Sequence, residues 1–156
     1  MHCYFAYGSN MLRARLEERV GPVQVLGPSV LDDYAHAFSK FGRDGTGKGN
    51  IHPRAGAAVH GVVYALNPLQ LAWLGVIEGG YQAVTVRIRC LDRARDATTY
   101  EALAPRPGLR PSAAYFTYYE RGMEEHSLPL AYRALVRAQA GLSDPAGTRP
   151  SRGLWQ

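Results

Sequence analysis

Two cysteines in 156 residues, Cys3 and Cys90, with no Cys-x-x-Cys pair, argue against a disulfide framework, a zinc ribbon or a dithiol redox centre. Both lie in alternating, strand-like segments, which suits small buried thiols. No apolar run extends beyond about ten residues before a charge, proline or glycine breaks it, far short of the roughly 20 that a membrane helix needs. The N-terminus has no basic-then-apolar leader pattern, so no membrane partner is expected and a cytoplasmic location is the default. The histidines His2, His36, His52, His60 and His126 are scattered without a pair at metal-ligand spacing, and neither metal nor cofactor is expected. A serine-hydrolase elbow is missing too, because Tyr7 and Met11 flank Ser9 where Gly-x-Ser-x-Gly requires glycine. Gly42 to Lys48 follows P-loop spacing as far as its lysine, but Gly49 stands where Ser or Thr would hold magnesium. With Pro53 close behind, no helix can start there, and the segment reads as a glycine-rich flap over a site.

Basic residues outnumber acidic ones, 18 to 13, for a net charge of +5. They are spread along the chain, and the densest set, Arg87, Arg89, Arg93 and Arg95, follows one strand and its exit as a solvated face. A nucleic-acid partner is therefore not expected; a general attraction for small anionic substrates is. The oligomeric state is not legible.

What the chain does have is an ordinary globular composition, 46% hydrophobic and 20% charged, enough for one core. The expected division is a domain over 1–142 and a mobile tail over 143–156, rich in Pro, Gly, Ser and Arg. Leu12, Leu16 and Val20 predict a helix from about Asn10 to Arg19, ended by Gly21-Pro22. Strands are expected over Val23 to Leu26, Ala35 to Phe41, Val59 to Leu66, Val84 to Cys90 and Thr98 to Leu103. Further helices are expected over Pro68 to Ile77, capped by Asn67, over Ser112 to Met123 and over Pro129 to Ala140. Strands not interleaved regularly with helices predict an α+β fold, whose mixed, largely antiparallel sheet can close into a barrel with flanking helices.

Two places can carry chemistry. Tyr4-Phe-Ala-Tyr-Gly-Ser-Asn10 runs an aromatic strand into a glycine turn, with Phe5 and Tyr7 on one face and Tyr4 and Ala6 on the other. Gly8 lets the backbone approach a ligand, and Ser9 or Asn10 can cap the next helix, whose free N–H groups would attract a carboxylate or an oxyanion. A plain strand and capped helix fits the same residues. The second place is Glu78, which shares a helix face with Leu71 and Leu74. If that face is buried, desolvation and the negative helix end both raise its pKa toward a value useful for proton transfer. If the helix end frays, Gly79-Gly80 lets Glu78 swing into water.

Tyr4 to Met11 resembles the opening signature of the γ-glutamylcyclotransferase-like enzymes, a group related to AIG2-like proteins. The resemblance continues through Gly61 to Leu66, Leu74-Gly-Val-Ile-Glu-Gly79 with Tyr81, Pro111 to Tyr115, and Gly122 to Pro129 with Tyr132. It implies a small mixed β-barrel with helices around it and a pocket at its mouth. It implies further that Glu78 is the catalytic acid and base, that Tyr4, Phe5, Ala6, Tyr7, Gly8, Ser9 and Asn10 hold the substrate, and that Tyr115 hydrogen-bonds to it. The implied reaction cyclises a small γ-glutamyl amide to 5-oxoproline and releases an amino acid or amine, without metal or cofactor. Two alternatives stand beside it: removal of a γ-glutamyl group from a γ-glutamylamine, an ε-linked lysine or a particular metabolite, and a non-catalytic γ-glutamyl-binding module. Gly75 is the one departure, since the family more often has Asp there, and a helical glycine is a less rigid support for Glu78.

Overall fold

The computed structural model describes residues 1–141; the tail expected over 143–156 lies outside the described residues. Five strands close into a barrel: β1 (His2–Ala6), β2 (Gln24–Phe41), β3 (Gly47–Leu66), β4 (Tyr81–Cys90) and β5 (Arg93–Ala102), in the order β1-β3-β2-β4-β5. The pairings are antiparallel except for the closing one, where β1 runs parallel to β5 at Tyr4 and Thr98. Four helices pack outside: α1 (Arg13–Val20), α2 (Pro68–Ile77), α3 (Ala113–Glu125) and α4 (Leu130–Gln139). None of them is long and apolar enough to cross a membrane.

Strand alternation divides the core in two. Phe5, Val63, Val86 and Ile88 point into the barrel and join a cluster with no helical members. Tyr4, Ala6, Val62, Tyr64 and Tyr100 point outward and are covered by Leu16, Leu74, Phe116, Tyr119 and Val136 from the helices. Each Val, Leu, Ile or Phe among them contributes roughly 1.5–3 kcal/mol when fully buried. The alternation read along β4 is observed, with Val86, Ile88 and Cys90 buried and Thr85, Arg87 and Arg89 exposed.

Three expectations are corrected. The strands foreseen over 23–26 and 35–41 are one, because register shifts at Val25/Gly27, Asp32/Tyr34 and Ala37/Lys40 carry β2 through residues that would otherwise interrupt it. The glycine-rich segment is a loop only over 42–46, and Gly47 to Gly49 already belong to β3. The first helix starts later than foreseen, at Arg13, after a 3₁₀ turn over Ser9–Met11. Neither Ser9 nor Asn10 caps it. Its N-cap is Leu12, without a side-chain cap.

Candidate active site

A cavity of about 770 Å³ opens at one end of the barrel. It lies where β1 runs out into the 3₁₀ turn, where β2 and β3 meet at their loop, and where α2 hands over to β4.

The first part of its wall is the turn after β1. Gly8, Ser9 and Asn10 all line the cavity. In a 3₁₀ turn the leading N–H groups have no partner inside the turn, and the bonds that form here run from Met11 N–H to Gly8 C=O (3.0 Å) and from Leu12 N–H to Ser9 C=O (3.3 Å). The side chains turn away from capping because each has another partner. Ser9 Oγ accepts from Arg15 Nε at 3.1 Å, and Asn10 Nδ2 donates to the Tyr4 hydroxyl at 3.0 Å. Asn10 Oδ1 is buried with no hydrogen-bond partner among the described residues. Tyr7 donates to the Tyr100 carbonyl at 2.6 Å and lines the cavity beside Tyr4.

The second part is the end of α2. Asn67 and Gln70 form a capping box at its start, with Pro68 in the first turn. Leu74, fully buried, anchors it to the barrel. Glu78 is the C-cap, and its side chain is 15% exposed, so it is held inside and does not swing into water. Arg19 Nη1 of α1 donates to Glu78 Oε1 at 3.1 Å. Burial pushes the carboxyl above its ordinary pKa; Arg19 first, then Lys40 and Arg15, pull it back without cancelling the rise. Tyr115, of α3, completes the set: its hydroxyl accepts from Gly49 N–H at 3.1 Å, while Tyr81 donates to Gly49 C=O at 2.7 Å.

The fold thus brings Glu78, Tyr4, Tyr7, Gly8, Ser9, Asn10 and Tyr115 to one cavity. Phe5 and Ala6 are not among its lining residues. Both are fully buried, Phe5 inside the barrel and Ala6 under the helices, so they hold the strand in place.

Residues 4–121 match the family described as gamma-glutamyl cyclotransferase, AIG2-like. The chain belongs to this family. Its backbone is similar to that of the human uncharacterized protein loc79017, with a TM-score of 0.82 and 26% identity over 88% of this chain and 86% of that one. It is also similar to a gamma-glutamyl cyclotransferase, with a TM-score of 0.80 and 25% identity over 94% and 90% of the two chains. YkqA from Bacillus subtilis gives 0.79 and 25% over 92% of this chain, which spans 56% of YkqA. No curated protein matches the chain in sequence.

The cations of this cyclotransferase-family cavity do not stand out in the sequence. Arg15, Arg19, Lys40, Arg43 and Lys48 line it against two carboxylates, Glu78 and Asp44. The spacing of Arg15 and Arg19 on one face of α1 is the signal that could have found two of them. Lys48 is tied to Asp44 at 3.3 Å across a turn in which Asp44 also accepts from Thr46, in place of a phosphate-binding arrangement. Among the described residues, no three His, Cys, Asp or Glu converge as a metal site.

Proposed function

We propose that this chain is a γ-glutamylcyclotransferase, cyclising the γ-glutamyl group of a small γ-glutamyl amide to 5-oxoproline and releasing an amino acid or amine. The observation that carries the reading is the pairing, in one cavity, of a buried carboxyl of raised pKa with a turn whose leading N–H groups have no partner inside it. The family and the similarity to a gamma-glutamyl cyclotransferase support it.

The chemistry asks for no protein nucleophile. The substrate's α-amine attacks its own γ-carbonyl carbon, a new C–N bond closes the five-membered ring, and the original amide C–N bond breaks. The tether between amine and carbonyl supplies much of the rate. Two protons leave the α-ammonium and two arrive on the departing nitrogen. Glu78 carries them one at a time, a role worth roughly 10² to 10⁴ in rate. Its raised pKa suits it to both halves of the exchange, and Arg19 keeps its ionised form accessible. The N–H groups of Gly8, Ser9 and Asn10 grip the substrate carboxylate or the developing oxyanion, with Arg15 behind Ser9 adding positive charge. The Tyr115 hydroxyl accepts from Gly49 and lines the cavity, where it can hydrogen-bond to the substrate.

Incubation with a panel of γ-glutamyl amino acids, amines and ε-linked γ-glutamyl-lysine, read by mass spectrometry, tests the reading. 5-Oxoproline from at least one of them is expected. Tight binding of a panel member with no product would favour a non-catalytic module instead.

A further inference from the structure

His36 lies in β2 and is 4% exposed, among the rings of Tyr7, Phe38 and Tyr119. Its Nδ1 meets Gln139 Oε1 of α4 at 2.7 Å, and its Nε2 meets the Tyr119 hydroxyl of α3 at 2.7 Å. An amide oxygen only accepts, so the ring proton sits on Nδ1 and Nε2 accepts from the Tyr119 O–H. Burial pulls the imidazole pKa down to about 4, which keeps this arrangement of donors unchanged through the neutral range.

The fixed Tyr119 oxygen lies directly behind two backbone positions of the cavity wall. A Cβ on Gly8 would stand 3.3 Å from it, and a Cβ on Gly49 would overlap it. Gly49 is also the residue whose N–H reaches Tyr115 and whose carbonyl takes the Tyr81 proton. Without its acceptor, the buried Tyr119 hydroxyl must find another, and the Tyr115 hydroxyl, which holds Gly49 N–H, is beside it.

We infer that Gln139, His36 and Tyr119 form a positioning chain from α4 to the cavity that holds the backbone of Gly8 and Gly49 at the spacing a bound substrate needs. The use of that spacing rests on the cyclotransferase reading; the chain of bonds does not. His36 touches no substrate in this account and is a positioning residue.

The test uses Tyr119→Phe, His36→Leu and the double variant, with His36→Gln as a conservative replacement that keeps an acceptor near the Nε2 position. Each single variant is expected to lower kcat/KM on the order of tenfold, carried by KM, because misplaced backbone weakens binding of substrate and transition state alike. The double variant should be no worse than either single one, as for members of one chain, and His36→Gln should keep a KM close to the parent's. Unchanged KM in folded variants that merely melt earlier would overturn the inference, as would losses that multiply. A second arm needs no turnover: in ¹⁵N NMR spectra the parent shows His36 protonated on Nδ1, and the Gly8 and Gly49 amide signals move in both single variants. Unmoved glycine signals overturn the positioning chain, whereas a parent that releases no 5-oxoproline refutes the cyclotransferase reading and leaves this arm to decide.

Discussion

The turn over Gly8–Asn10 and the carboxyl of Glu78 line one cavity, yet the chain holds them by different means. The turn is braced from several sides. Met11 C=O, at its end, accepts from the Tyr64 hydroxyl at 2.7 Å and lies 3.0 Å from His126 Nε2. α3 approaches so closely at Gly122 that a Cβ there would stand 2.8 Å from Leu12 N and Met11 Cβ. Asn10 is tied to Tyr4. Glu78, by contrast, caps a helix that continues into Gly79 and Gly80, the latter at φ 85°, both exposed, and among the described residues its carboxylate has one ion pair, with Arg19. In the proposed reaction, a turn that recognises a fixed carboxylate benefits from a braced backbone, and a carboxyl that exchanges protons benefits from a side chain balanced between burial and a cation.

That contrast can be broken most severely at the carboxyl. Glu78→Gln is expected to lower the rate of 5-oxoproline release by roughly 10² to 10⁴ with an unchanged circular dichroism spectrum. The same variant carries a stability signature. Because the folded-state pKa of Glu78 is raised, its contribution to stability is fully present below the usual carboxylate range and is lost as pH rises through the folded pKa. The melting temperature of the parent relative to Glu78→Gln should therefore be highest in acid and fall toward neutral pH.

Breaking the braced side comes next. Gly122→Ala forces a methyl group between α3 and the turn, which should cost about 1–3 kcal/mol in urea unfolding and raise KM more than it lowers kcat. Arg19→Leu sharpens the other side. Removing the cation that holds Glu78 down moves the acid limb of the kcat/KM profile to higher pH, whereas an unmoved limb would detach Arg19 from the proton exchange. The smallest effect is at Gly75, where a Cβ would make an ordinary contact 3.6 Å from the Tyr100 hydroxyl. Gly75→Ala should raise stability by up to about 1 kcal/mol and leave turnover near the parent's.

The two sides also differ in how far they could be read before the structure. Alternation in β1 and β4, the cap at Asn67 and the helix face that Glu78 shares with Leu71 and Leu74 are local features, and local features are what a sequence displays; that this face is buried at Glu78 was not among them. The glycine turn after β1 was legible but its geometry was not, because the helix-capping side chains of Ser9 and Asn10 are engaged by Arg15 and by Tyr4. Long-range partners decide such competitions. The same limit hid Arg19, 59 residues from Glu78, and it hid the continuity of β2, whose Gly27 and Asp33 take positive φ at shifts in register that only pairing with β3 defines. Phe5 and Ala6 carry the motif without lining the cavity, since a strand buried on both faces conserves space for its neighbours rather than for a ligand.

The central claim is that the protein supplies a cradle and one proton carrier while the substrate attacks itself. Turnover of a responsive γ-glutamyl amide in water enriched in ¹⁸O tests this most directly. 5-Oxoproline is expected as the initial glutamyl product, with no solvent oxygen in it. Free glutamate carrying ¹⁸O in its γ-carboxyl group, formed without passing through 5-oxoproline, would show that water is the nucleophile and would contradict it.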